Sequence, residues 1–155
     1  MKKQKILFLL DLDHTLIYGS FSEKETGELL FQHNKYLKVY KRDLAEDLIV
    51  QCKSKGHIIV YTTALRQYAK SICTKLNIEP IALLSRKNCK SVDGKHKKII
   101  NVEWLNNYDK IVIIDDSPNV WLAENDKIEF LVPDEFRGEA DDKGLHKIIE
   151  IIKSY

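Results

Sequence analysis

Four aspartates stand where two apolar runs of the sequence end, and carboxylates gathered in this way can bind a metal ion. Asp11 and Asp13 follow the run Ile6–Leu10, and a second apolar run ends at Asp115 and Asp116. Several carboxylates in a partly buried crevice repel one another unless a cation compensates their charge. Mg²⁺ prefers such hard oxygen ligands and typically combines one or two carboxylates with a substrate phosphate. The pattern therefore predicts a Mg²⁺ site that serves phosphoryl transfer.

The spacing of the first two aspartates suggests a division of roles. In an extended backbone, residues two apart point to the same side, so Asp11 and Asp13 would face one crevice. One aspartate can attack phosphorus and form an aspartyl-phosphate. A second can protonate the leaving oxygen and later deprotonate water. Thr62 and Thr63 end another apolar run and could hold the phosphate, and one lysine from the run 95–98 could complete a positive clamp.

Length, composition and net charge restrict the classes of protein to which the chain can belong. The chain has 155 residues, a length that predicts a single domain over 1–155. Five apolar residues at 6–10 are fewer than the about 7–15 of a signal peptide, and no run reaches the about 18 of a membrane span. A net charge of +2 is too small to indicate nucleic acid as a partner, and we expect none. Three cysteines without paired spacing predict reduced thiols. Reduced thiols indicate a cytoplasmic or nuclear location. We also expect the protein to be a monomer.

Apolar runs alternate with helical periodicity along most of the chain. Strands are predicted at Ile6–Leu10, His57–Tyr61, Pro80–Leu84, Lys110–Ile114 and Ile128–Val132. Helices are predicted from Asp43 to a C-terminal cap at Gly56, and at Arg66–Leu76, Asn101–Asn107 and Lys143–Lys153. This alternation predicts an α/β fold with a mostly parallel sheet and helices on both faces. Ligands of such sheets bind at the carboxyl ends of the strands, where the polar residues above would converge.

Two segments depart from the alternation. Residues 18–40 begin with a polar stretch at Ser20-Phe21-Ser22, which we expect to be flexible, and continue as a hairpin of Glu28–Gln32 with Tyr36–Tyr40. Residues 86–98 form a basic loop in which Asp93-Gly94 is a hairpin turn signal.

In the types and order of these aspartate, threonine and lysine residues, the chain resembles the haloacid dehalogenase superfamily of phosphotransferases. More narrowly, it resembles the branch of small C-terminal-domain phosphatases that includes the NLI-interacting-factor-like proteins. The resemblance covers roughly residues 5–150 and rests on motifs that agree in order and spacing. They are the DxDxT motif at 11–15, the threonine motif at 60–65 with Tyr68-Ala69 after it, a segment like F-R-E-x-C at 85–89, and the DDSP motif at 115–118.

The resemblance implies a role for each motif residue. Asp11 would be the nucleophile and Asp13 the general acid and base, with the Asp13 backbone carbonyl also binding Mg²⁺. Thr62 and Thr63 would bind the phosphate, and Arg86 would contact phosphate or substrate.

Lys98 lies nine residues after Cys89 and fits the motif lysine, with Lys97 as the alternative. Asp115 and Asp116 would complete the metal ligands, Asp116 as the direct one. The predicted catalytic set is therefore Asp11, Asp13, Thr62 and Lys98, and the predicted metal set is Asp11, Asp13, Asp115 and Asp116.

The lack of a long insertion after either of the first two motifs predicts a Rossmann-like haloacid dehalogenase fold without a large cap domain. Open sites of this kind in the family act on phosphates carried by proteins. The family's usual substrates carry phosphoserine or phosphothreonine, and phosphotyrosine stays open for this chain. Two alternatives remain: a phosphatase for nucleic-acid 3′ ends or small metabolites, and a binding module that keeps the fold without catalysis.

Overall fold

The structure, a computed structural model, describes residues 2–22 and 27–155. Its strands are β1 Ile6–Leu10, β2 Ile17–Ser20, β3 Glu28–Gln32, β4 Lys38–Lys41, β5 Gly56–Tyr61, β6 Ala82–Leu84, β7 Lys90–Val92, β8 Lys95–Ile99, β9 Lys110–Ile114, β10 Trp121–Leu122 and β11 Ile128–Leu131. Its α-helices are α1 Ala45–Lys55, α2 Arg66–Lys75, α3 Val102–Asn107 and α4 His146–Lys153.

Five of these strands form a parallel sheet in the order β11-β9-β1-β5-β6. All five residues of β1 are buried, because a central strand covered on both faces meets no water. Leu10 pairs with Val60 on one side and with Ile114 on the other. The three strands therefore end at nearly the same level, and the residues that follow them meet at one edge of the sheet.

The two faces of the sheet are covered differently. One face packs Phe8 and Leu10 against α1, α2 and α4. The other packs Leu7 and Leu9 against the short helix α3 and against a small sheet with strand order β10-β8-β7. The predicted α/β fold with helices on both faces is confirmed, although the second face carries one helix of only six residues.

Between β1 and α1 the chain forms a second small sheet, which we call the β2–β4 sheet, with strand order β2-β4-β3. The predicted hairpin is present as β3 and β4, whereas β2 was not predicted. The flexible stretch expected from Ser20 lies partly outside the described residues, at 23–26. Within the described ranges, no large cap domain follows β1 or β5.

The hairpin β7–β8 turns at Asp93 and Gly94, whose φ angles are 50° and 75°. A two-residue turn with both φ angles positive matches the twist of the strands, and aspartate followed by glycine favours it. The predicted hairpin is thus confirmed. Lys98 on β8 then pairs with Trp121 on β10, which brings this lysine to the edge of the central sheet.

Three helix starts differ from the prediction. α3 begins at Val102 rather than at Asn101, whose side chain caps the helix. α1 begins at Ala45, after Leu44 with a φ of 66°, and no side-chain cap forms there, so the predicted start at Asp43 is wrong. α4 begins at His146 rather than at Lys143. Gly56 does follow α1, but in extended backbone: a Cβ there would overlap the carbonyl of Ile6 on β1. None of the helices in the described ranges is long and apolar enough to cross a membrane.

Candidate active site

The carboxyl ends of β1, β5 and β9 surround a small cavity of about 80 Å³. Its lining contains most of the predicted site residues, namely Asp11, Asp13, Thr62, Thr63, Lys98, Asp115 and Asp116, together with Ser117 and Val120. Arg86 does not line it. Three of the four segments that supply these side chains follow β1, β5 and β9 of the parallel sheet, whose ends are level. The fourth is β8 of the small sheet, which supplies Lys98.

Lys98 is the buried cation of this site, with 1% of its side chain exposed. Its Nζ donates to Asp11 Oδ1 at 2.9 Å and to Asp115 Oδ2 at 2.7 Å. Burial by itself lowers the pKa of the ammonium, but the two carboxylates outweigh burial and leave the pKa above its ordinary value. Lys98 therefore stays charged. Lys97 points elsewhere, and its Nζ donates to the carbonyl of Asn119 at 2.8 Å.

Thr15, which is fully buried, joins the two aspartate pairs. Its hydroxyl donates to Asp11 Oδ2 at 2.8 Å and lies 3.1 Å from Asp116 Oδ1, while the Asp116 backbone N–H donates to it. Because a hydroxyl carries one proton, it serves one carboxylate at a time. The sequence analysis included Thr15 in the DxDxT motif but assigned it no role.

Asp115 is held by donors on both oxygens. Trp121 Nε1 donates to Oδ2 at 2.8 Å, and the Ser117 backbone N–H donates to Oδ1 at 2.9 Å. Burial, followed by the nearby Asp11 carboxylate, raises the pKa of Asp115 to about 6. Trp121 was not predicted as a site residue, and only its position shortly after the DDSP motif could have indicated it.

Asp11, Asp115 and Asp116 bring ligand oxygens within 4.8 Å of one another. Carboxylate oxygens are the donors that Mg²⁺ prefers, and one ammonium cannot neutralise three carboxylates, so the set fits a divalent cation. The Asp13 carboxylate is outside this group, which is compatible with its predicted contribution through the backbone carbonyl. Asp116 is half-buried, whereas Asp115 already accepts from Lys98, Trp121 and Ser117.

Asp13 occupies a different environment from Asp11. The Tyr68 hydroxyl donates to Asp13 Oδ1 at 3.0 Å. Burial raises the pKa of Asp13, and the hydrogen bond from Tyr68 offsets part of that rise. Burial is also the main cause that raises the pKa of Asp11, where Lys98 opposes it. The ammonium clamps Asp11 directly, and a neutral phenol holds Asp13.

The predicted phosphate-binding residues are divided between the cavity and its rim. Thr62 is 1% exposed, and its hydroxyl oxygen accepts from the Ala64 backbone N–H at 3.0 Å, which leaves the hydroxyl proton available to another acceptor. Thr63 is half-buried beside it. Arg86 is exposed, and its Nε donates to the Thr63 carbonyl at 2.9 Å, so it lies at the rim of the site.

A parallel sheet that carries one aspartate pair after its central strand and another after the adjacent strand defines a haloacid dehalogenase-type fold. Within that class, the chain belongs to the NLI interacting factor-like phosphatase family, whose model matches residues 6–155. The predicted family resemblance is confirmed.

Individual relatives are distant. An uncharacterized protein of Schizosaccharomyces pombe, C2F7.02c, is 26% identical over an alignment of 127 residues, and the match covers 76% of this chain and 38% of that protein. Two structures of the RNA polymerase II CTD phosphatase Fcp1 also match. A fission yeast form bound to beryllium fluoride has a TM-score of 0.59 and a second structure has 0.60, each at 18% identity.

These matches cover 98% of this chain but only 50% and 49% of the two Fcp1 chains. This chain therefore spans about half the length of the solved relatives and 38% of the curated one. At such identity the structural likeness shows the fold alone.

Proposed function

We propose that this chain is a Mg²⁺-dependent phosphatase that hydrolyses phosphomonoesters carried by proteins, through an aspartyl-phosphate on Asp11. Membership of a phosphatase family supports the reaction class. The observation that carries the proposal is the small acidic cavity, in which one carboxylate is fixed by a buried lysine and a second is held by a tyrosine.

Asp11 is the nucleophile in this proposal. Lys98 and Thr15 each donate to one of its oxygens, which fixes the rotation of the carboxylate at the end of a fully buried strand. One oxygen bonds to phosphorus while the bond from phosphorus to the leaving oxygen breaks. A carboxylate that is already oriented loses little further freedom when it attacks.

Asp13 is the general acid and base in this proposal. It protonates the leaving oxygen in the first step and then takes a proton from the water that attacks the aspartyl-phosphate. A pKa raised by burial suits this role, because the acid must carry a proton near neutral pH. Water attack returns Asp11 as a carboxylate and releases inorganic phosphate.

Positive groups and donors surround the transferring phosphoryl group. Asp11, Asp115 and Asp116, with the Asp13 carbonyl, would hold Mg²⁺, which supplies positive charge to the phosphoryl oxygens when bound. The Thr62 hydroxyl proton is free to donate to a phosphoryl oxygen, because the Thr62 oxygen accepts from Ala64.

The size of the cavity supports a large substrate. Sites that enclose a small molecule measure about 300–1,000 Å³, whereas this cavity measures about 80 Å³. It accepts a phosphoryl group and leaves the rest of the substrate outside. That arrangement favours a phosphate presented by a macromolecule over a metabolite, and the small net charge favours a protein over a nucleic acid.

A substrate panel with and without Mg²⁺ tests this proposal. It contains peptides with phosphoserine, phosphothreonine and phosphotyrosine, an oligonucleotide with a 3′-phosphate, and a small sugar phosphate. We expect Mg²⁺-dependent hydrolysis of at least one phosphopeptide, and an Asp11→Asn variant should lose at least about 10³-fold in kcat/KM while keeping its thermal transition.

Preference for the oligonucleotide or the sugar phosphate would overturn the proposed substrate. An inactive wild-type protein that still binds a phosphopeptide would support a binding module instead. Phosphopeptide hydrolysis that survives Asp11→Asn would overturn the proposed nucleophile.

A further inference from the structure

We propose that Tyr68 is a positioning residue for the general acid Asp13, and that the β2–β4 sheet holds the Tyr68 phenol in place. This inference rests on the proposed function, because it concerns the proton transfer in that reaction.

The contact that carries the inference joins two separate elements. Tyr68 is near the start of α2, Asp13 follows β1, and the phenol hydroxyl donates to Asp13 Oδ1 at 3.0 Å. A carboxylate oxygen only accepts, so the Tyr68 phenol is the donor in this contact. With Oδ1 occupied in this way, Oδ2 of Asp13 is the oxygen left to carry a proton to the leaving group.

Gly19 on β2 leaves the space that the phenol needs. A Cβ at this position would lie 2.8 Å from Tyr68 Oη, which is closer than such atoms approach in proteins. The atom in its way is the far end of a side chain, so the phenol can move aside while the strand stays in place. Any residue larger than glycine at position 19 would therefore displace the hydroxyl from Asp13.

His33, in the turn between β3 and β4, supports the phenol through its ring. Its imidazole meets Tyr68 edge to face, with ring centroids 5.2 Å apart and an interplanar angle of 83°. Phe31 packs against His33 in a similar geometry at 6.2 Å. Gly19 on β2 and His33 in the β3–β4 turn thus flank the Tyr68 phenol. The same sheet also meets the general acid directly, because Asp13 forms a backbone bridge with Ile17 on β2.

Leaving-group dependence tests this role. We compare kcat/KM of the full chain with Mg²⁺ on phenyl phosphate, whose leaving group needs a proton, and on 4-nitrophenyl phosphate, whose leaving group needs little help. Tyr68→Phe should lose about 10–100-fold on phenyl phosphate and less than about threefold on the nitrophenyl ester. Gly19→Ala should show the same pattern, because it displaces the same hydroxyl.

Two controls separate positioning from general damage. Tyr108→Phe removes a hydroxyl that lies 2.8 Å from His57 Nδ1, at the amino ends of the strands and away from the site. This variant should change kcat/KM on neither ester. In an Asp13→Asn background, adding Tyr68→Phe should cause no further loss, because there is then no acid to position.

Equal losses on both esters, or no loss on phenyl phosphate, would overturn the positioning role while leaving the proposed function intact. A wild-type protein that hydrolyses neither these esters nor any phosphopeptide would overturn both.

Discussion

Arg42 and Lys98 are both almost fully buried, at 0% and 1% side-chain exposure, but the charges around them differ. Arg42 meets one carboxylate, and its Nε and Nη2 each donate to one oxygen of Asp142, at 2.7 and 2.9 Å. Lys98 meets two carboxylates, Asp11 and Asp115. The Arg42 pair is electrically balanced, whereas the Lys98 cluster carries excess negative charge.

The balanced pair is structural. Arg42 follows β4, and its Nη1 also donates to the Thr15 carbonyl at 3.2 Å, so it ties the first motif to the segment before α4. Gly144 leaves space for the guanidinium, because a Cβ there would overlap Nη2. The contrast indicates that a buried cation with matched charge stabilises a fold, while one with unmatched charge marks a site for another cation and a substrate.

The largest effect on stability should come from breaking the balanced pair. Arg42→Met leaves Asp142 with its side chain 10% exposed and without its partner. We expect the free energy of unfolding, measured by urea denaturation, to fall by about 3–5 kcal/mol. Hydrolysis per folded molecule should change much less than it does when Lys98 is replaced.

A double variant, Arg42→Met with Asp142→Leu, is the matched control. It should recover much of the lost stability, because neither charge is then buried alone. If it is no more stable than Arg42→Met, the loss does not come from the unpaired carboxylate and the comparison fails.

For the Lys98 cluster we expect the reverse of the Arg42→Met result, namely a large loss of activity and a smaller loss of stability. Lys98→Met should lower kcat/KM for an aryl phosphate by about 10²–10³-fold, because the variant loses the cation that orients Asp11. With Mg²⁺ present, its free energy of unfolding should fall less than that of Arg42→Met, since the metal ion compensates the carboxylates.

Lys97→Met is the control, because Lys97 bonds to the Asn119 carbonyl and points away from the aspartates. It should resemble the wild-type protein. A larger loss of activity in Lys97→Met than in Lys98→Met would show that the neighbouring lysine acts in the site.

The smallest effect concerns pH. The pKa of Asp115 is raised to about 6, so the folded state holds this proton more tightly than the unfolded chain. The resulting stabilisation is complete below about pH 4, near the unfolded pKa, and is lost as pH rises through about 6. In metal-free protein, the free energy of unfolding of Asp115→Asn relative to wild type, measured by urea denaturation, should therefore increase between pH 4 and 7 by on the order of 2 kcal/mol.

Saturating Mg²⁺ should reduce this difference, because the ion favours the ionised carboxylate. A pH-independent difference between Asp115→Asn and the wild-type protein would show that the pKa of Asp115 is not raised in the folded state.

The sequence predicted features that depend on local pattern. Uninterrupted apolar runs identified β1 and β9, and the aspartates directly after them had to lie at the carboxyl edge of the sheet. The turn at Asp93-Gly94 was predictable for the same reason, because two adjacent residues determine it.

Contacts that depend on distant or irregular backbone were not predictable. Arg42 and Asp142 are 100 residues apart, and no local pattern relates them. Trp121 reaches Asp115 through the short 3₁₀ turn Pro118–Val120, whose geometry sets the direction of the indole. The start of α1 depends on Leu44 in left-handed backbone, which is uncommon for leucine, so the nearby aspartate was mistaken for the cap.

The central position of β1 also determines at what stage of folding the active site is assembled. Leu10 pairs with residues 50 and 104 positions later in the chain, Val60 and Ile114. Contacts of such separation close large loops and form slowly. During synthesis or refolding the first motif therefore exists long before the site does, and recovered hydrolysis reports that β9 has docked. A nascent chain that ends before residue 115 carries Asp11 but lacks both Asp115 and Asp116, so under the proposed mechanism we expect it to show no hydrolysis.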